Sequence, residues 1–104
     1  MTKLVFEDDD RIEKWEGGVR HCEDGPAVIF KKTNRCVWFV NGKIHREDGP
    51  AITDPVYGDE FYINYRNITN QVVIWAKQND VDLKCMTVAQ ELSLSFFLMS
   101  FKYE

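Results

Sequence analysis

The sequence lacks a surplus of basic charge: 17 Asp and Glu stand against 13 Lys and Arg, for a formal net charge of −4. Four acids follow one another as Glu7, Asp8, Asp9 and Asp10. A nucleic-acid footprint needs the opposite balance, so no direct nucleic-acid binding is expected and a protein or cationic partner fits better. No apolar run reaches the roughly 20 residues that span a bilayer; the stretch from Leu92 to Phe101 is interrupted by Ser93, Ser95 and Ser100. No charged-then-apolar leader opens the chain, since "MTKLVFEDDDR" turns acidic within a few residues. A cytoplasmic protein without membrane attachment is the expectation. Cysteines are few, odd in number and never spaced as CxxC: Cys22, Cys36 and Cys85 read as reduced thiols. A zinc site from His21, Cys22, Cys36 and His45 has suitable ligands, but adjacent strand residues such as His21 and Cys22 point to opposite faces, so no metal is assigned.

What the chain does have is a near-duplicate heptad. "HCEDGPA" at 21–27 returns as "HREDGPA" 24 residues later, and the same offset carries Gly18 onto Gly42 and Val28 onto Ile52. Such a period marks a supersecondary repeat. Each unit reads as an aromatic strand, a Gly turn, a short return to His, an Asp-Gly-Pro turn and an apolar strand. Asn41-Gly42 is a strong hairpin signal, because a type I′ turn needs positive φ at both central residues. In the triplet, Asp caps its local backbone, Gly tolerates unusual φ, and Pro fixes φ without donating a hydrogen bond. His21, Asp24, Gly25 and Pro26, with His45, Asp48, Gly49 and Pro50, are therefore assigned to structural corners.

The same step of 24 takes Trp38 to Tyr62 and His45 to Thr69, so "EFYINYRNIT" reads as a third unit without Asn-Gly or Asp-Gly-Pro. Helical spacing begins at Thr69, placed where a cap is useful, with Val72, Trp75, Ala76 and Val73 toward one face, and ends near Asn79-Asp80. A second helix starts at Thr87, whose spacing to Gln90 fits a capping box, with Val88, Leu92, Phe96 and Met99 on one stripe. "LSLSF" also alternates like a strand, which leaves 92–103 open between helix and strand. The expected fold is a single α+β domain over 1–104. An antiparallel β-meander of six to seven strands, built from about 24-residue repeats over 12–69, is closed by one or two helices in 69–104 that return across the sheet.

The segments "RHCEDGPAV" and "NGKIHREDGPAI" resemble the tandem His-Arg-Glu-Asp-Gly-Pro-Ala repeats of small proteins encoded by tailed bacteriophages, themselves distantly similar to MORN repeats. The resemblance covers about residues 12–69 and departs from the pattern at Cys22 and in the third unit. It implies a phage origin, a β-sheet repeat and residence in the infected host's cytoplasm, and carries no catalytic residues.

Each candidate site has a structural counterpart. His beside a carboxylate is the minimal general-base arrangement, yet no Ser or Cys nucleophile matches in both units, and a His that fixes its own corner is the stronger reading. Trp15, Trp38, Phe39, Tyr57, Phe61, Tyr62 and Tyr65 form an aromatic series suited to a small β core; alternation sends Trp38 and Phe39 to opposite faces, leaving one as a contact. Arg20, Lys43, Arg46 and Arg66 interleave with Glu23, Glu47, Asp48 and Glu60 as a ladder or recognition surface. The partner-binding candidates are thus Trp38, Phe39, Arg46, Tyr62 and Arg66, with Asp8, Asp9 and Asp10 as an acidic patch. The apolar C-terminal segment suits a homodimer contact. The expected function is non-enzymatic: a phage protein that binds, and inhibits or redirects, a host protein such as a defence or regulatory factor, without catalytic residues or cofactor. The alternatives are a small-molecule or nucleotide binder, an acidic DNA mimic and a His-dependent hydrolase.

Overall fold

The computed structural model describes residues 2–103. Ten short strands precede two helices: β1 (Lys3–Glu7), β2 (Arg11–Glu16), β3 (Val19–Arg20), β4 (Val28–Phe30), β5 (Arg35–Val37), β6 (Phe39–Val40), β7 (Lys43–Ile44), β8 (Ile52–Thr53), β9 (Tyr62–Ile63), β10 (Arg66–Asn67), α1 (Thr69–Gln78) and α2 (Val88–Met99). All strand pairs are antiparallel, so the α+β meander class holds. The strands are shorter and more numerous than expected. A six-stranded sheet runs β1-β2-β4-β5-β8 with β3 also on β2, and β6-β7 and β9-β10 stand apart as two-stranded hairpins. The break falls at Trp38, between β5 and β6, where the chain turns from the sheet into the hairpin.

The same backbone bonds recur along the chain. Lys14 N–H donates to Ala27 O and Trp38 N–H to Ala51 O, and His21 N–H donates to Lys14 O as His45 N–H does to Trp38 O. The next member of the second series is Ile68 N–H to Phe61 O. Phe61 and Ile68 lie 23 residues after Trp38 and His45, so the third unit is one residue shorter than the fixed step of 24 implied. Phe61 and Ile68, and not Tyr62 and Thr69, occupy the Trp38 and His45 places. Thr69 has a different task from the expected cap. Ile68 is the N-cap of α1 and makes no side-chain cap bond, while Thr69 Oγ1 accepts from Phe61 N–H at 2.9 Å, replacing the Ala carbonyl that a third corner would have supplied.

Three hairpin turns carry positive φ at both central residues: Gly17-Gly18, Asn41-Gly42 and Asn64-Tyr65. Gly42 suits its φ of 81°, but Tyr65 holds 70° with a Cβ, a conformation that costs an L-residue about 1–2 kcal/mol. Its side chain is 69% exposed and has little packing to lose. Tyr65→Gly is therefore expected to stabilise the protein by about 0.5–1 kcal/mol after the greater unfolded-chain entropy of Gly is subtracted, measured by urea unfolding. In the Asp-Gly-Pro corners the glycines do not use positive φ, contrary to expectation. Gly49 is small for a different reason: a Cβ there would meet Arg46 Cζ at 3.0 Å.

Two hydrophobic clusters form. Val28, Val37 and Ile52 centre one on the sheet, with Phe30, Phe39, Ile44 and Tyr62 against it. Phe61, Ile63, Ile68, Val72, Leu94 and Leu98 form the other, with Trp75, Phe97 and Phe101 packed on it. The helices thus close the last hairpin and do not lie across the main sheet, because the apolar residues they pack against, Phe61, Ile63 and Ile68, come after the sheet's last strand, β8. On α2 the buried residues are Leu94 and Leu98. Val88, Leu92, Phe96 and Met99, the stripe expected to seek the core, are 74, 58, 74 and 40% exposed. Thr87 makes the capping box with Gln90, and the helix runs to Met99 with turns at 100–103, so no part of 92–103 is strand.

Candidate functional site: the groove between the two corners

Both His side chains sit at their corners and bond the hairpin of the following unit. His21 Nδ1 accepts from Asn41 N–H at 3.0 Å, and His45 Nδ1 accepts from Asn64 N–H at 2.8 Å. An acceptor at Nδ1 places the proton of the neutral ring on Nε2, and His45 Nε2 lies 2.7 Å from Glu47 Oε2. Both nitrogens of the buried His45 are therefore committed, which leaves none to take a proton from a substrate. The hydrogen bond with His45 holds the Glu47 carboxyl below the usual carboxylate value; partial burial opposes it and Lys102, 3.5 Å away, assists.

The one variable position of the heptad makes the same contact with different chemistry. Cys22 Sγ donates to Asp24 Oδ1 at 3.2 Å, and Arg46 Nε to Asp48 Oδ1 at 2.8 Å. Arg46 also donates to Pro50 O and lies over the Trp38 ring, 4.1 Å from its centroid. It is thereby held over the indole, and its charge is paired inside its own corner.

A groove of ≈ 610 Å³ opens between the two corners and α2. Trp38, Val40 and Met99 supply apolar walls, and Glu23, Asp24, Glu47 and Asp48 line it with carboxylates. Met99 joins the groove to the exposed Phe96, Leu92 and Val88 stripe of α2. Of the residues proposed from sequence for partner contact, Trp38 and Arg46 are brought here. Phe39 and Tyr62 pack against the sheet cluster, and Arg66 lies over Phe101. Asp8, Asp9 and Asp10 belong to the β1–β2 turn: Asp8 Oδ1 accepts from Asp10 and Arg11 N–H, and Asp10 pairs with Lys32 at 3.1 Å. With Glu7 paired to Lys31 at 2.6 Å, the acidic run is largely held by bases and its own turn.

Glu13 went unassigned from sequence. It is only 4% exposed, and its two oxygens accept from Arg20 and Arg11, each at 2.7 Å. Burial pushes its carboxyl up, but these guanidinium bonds outweigh that and hold it below the usual value. The next unit has Val37 and Ile44 where the first has Glu13 and Arg20, so the duplicated register contained the signal: an ion pair exchanged for an apolar one. Arg20 also lies 5.5 Å from both the Trp15 and Phe39 ring centroids, stitching the two units together.

Among the described residues no group of three or more His, Cys, Asp or Glu is arranged to hold a metal ion, and no helix is long and apolar enough to cross a membrane. The three cysteines are unpaired. These features define a β-corner scaffold presenting an acidic, aromatic-floored groove beside an apolar helix face. No protein-family model, curated protein or solved structure matches the chain.

Proposed function

We propose that this chain is a non-enzymatic binding protein that takes a segment of a partner protein along the corner groove and the exposed face of α2. The observation that carries the reading is continuity: an acid-lined, Trp38-floored groove runs through Met99 into the Phe96, Leu92 and Val88 stripe. A segment with apolar residues flanked by Lys or Arg complements both parts, the apolar face providing affinity and the carboxylates orientation and rate. The resemblance of the heptads to phage repeats makes a host protein, inhibited or redirected in the infected cytoplasm, the expected partner.

The test is capture of partners from nuclease-treated bacterial lysate by the tagged protein, identified by mass spectrometry and then measured with purified components. Binding at the proposed surface predicts a stoichiometric protein whose affinity falls at least about tenfold with Leu92→Ser/Phe96→Ser, a loss equivalent to about 1.4 kcal/mol, and weakens with salt. Affinity unchanged in that variant rejects the surface. Absence of any captured protein, together with thermal stabilisation by a nucleotide or other small ligand, favours the small-molecule reading, for which the groove is large enough.

A further inference from the structure

β1 is an edge strand with unusual composition for that position. Among the described residues it pairs only with β2, all five of its residues are exposed, and its centre is Leu4, Val5 and Phe6 at 60, 67 and 48% exposure. Apolar edges are normally blunted by charged side chains, proline, a bulge or a covering element; β1 carries charges only at its two ends, Lys3 and Glu7, and has no proline or bulge.

The direction of its backbone groups follows from the ladder. Thr2 O accepts from Gly17 N–H and Asp8 N–H donates to Arg11 O at the two ends, in the register that places Leu4 opposite Trp15 and Phe6 opposite Glu13. Because bonding alternates in an antiparallel pair, Leu4 and Phe6 bond β2, while Lys3, Val5 and Glu7 turn their N–H and C=O to the free edge. Lys14, opposite Val5, bears this out: its N–H and C=O bond Ala27 and His21 on the far side of β2.

We infer that β1 pairs antiparallel with β1 of a second copy, about a two-fold axis through Val5. In this register Val5 meets Val5 and Lys3 meets Glu7, which Lys31 of its own chain also holds at 2.6 Å, all bonded through outward-facing backbone groups, while Leu4 packs beside Phe6. The parity of the backbone bonds and the charge pattern select the same register. Opposite charges and apolar pairs directly across two strands are favourable, and like charges there are not. Shifting by two residues preserves the bonding parity but separates Lys3 from Glu7. Since each copy has one such edge, pairing consumes it and gives a closed dimer, not a filament. This contact is distinct from the α2 face used in the proposed binding surface.

The test is sedimentation equilibrium of the full chain up to about 100 µM, a range that reveals weak association. The wild type is expected at twice the 12.2 kDa chain mass. Val5→Pro removes an N–H that β2 does not use, so the variant is expected to keep its circular dichroism spectrum and become monomeric. Lys3→Glu and Glu7→Lys each set like charges across the axis and are expected to be monomeric alone; mixed in equal amounts they recover a heterodimer, because each then faces its opposite charge. That rescue is one a merely unfolded variant would not give. A monomeric wild type, a polydisperse aggregate, failure of the mixture to pair, or a dimer that survives Val5→Pro but is lost with Leu92→Ser/Phe96→Ser each overturns the assignment.

Discussion

Leu98→Ala is expected to cost about 3 kcal/mol of folding stability, whereas Phe96→Ala is expected to cost under about 0.5 kcal/mol, although Phe is the larger side chain. Leu98 is fully buried in the cluster with Phe61, Ile63, Ile68, Val72 and Leu94. Its removal forfeits transfer energy and leaves a cavity that rigid neighbours cannot fill. Trp75 stacked on Phe97, and Phe97 edge-on to Phe101, hold that neighbourhood in place. Phe96 is 74% exposed and gives up little on truncation. Urea unfolding of the two variants side by side checks the rotational setting of α2; a larger loss for Phe96→Ala than for Leu98→Ala would mean that the Phe96 stripe is the buried one.

His45→Ala is expected to cost about 3 kcal/mol, and His21→Ala about 1 kcal/mol. Truncating His45 leaves the Asn64 N–H without its acceptor at a buried corner and takes from Glu47 its shortest hydrogen bond, leaving it only the longer one from Lys102. The asymmetry comes from the turns the two rings hold. His21 supports Asn41-Gly42, whose glycine favours the required φ, while His45 supports Asn64-Tyr65, whose tyrosine does not. The third turn therefore depends more on its His. pH dependence gives a second readout. The folded-state carboxyl of Glu47 lies below its ordinary value, so its contribution is complete above the unfolded-state carboxylate pKa and is lost as pH falls through the lowered one. The gap between wild type and His45→Ala is expected to narrow on acidification, followed by urea unfolding from neutral to acid pH. A His45→Ala protein as stable as wild type would reject the corner role and reopen a catalytic one.

The Asn41-Gly42 hairpin was legible because its cause is local: turn chemistry needs particular residues at adjacent positions. The capping box at Thr87 was legible for the same reason. The third unit was misaligned by one residue, since a fixed step of 24 has no way to register a deletion that only long-range backbone bonds reveal. Thr69 falls at the cap position on the same arithmetic, while its hydroxyl accepts from Phe61 N–H and Ile68 is the N-cap. The groove was half legible. Trp38 and Arg46 stood in the repeated motif, but Ser95 and Met99 reach it from α2, some fifty residues on.

Sequence by itself determined the α+β class, the Asn41-Gly42 hairpin and the start of α2, the last two set by interactions within a few residues. Tertiary structure decided which side of α2 is buried. Val88, Leu92, Phe96 and Met99 form as good an apolar stripe as the residues that pack, and Phe61 and Ile63 with Ile68 and Val72, all distant in sequence, select Leu94 and Leu98. It also decided that β1 is an unpaired edge and that Glu13 is buried between two arginines, because burial depends on which distant segments arrive and not on the side chain's own polarity.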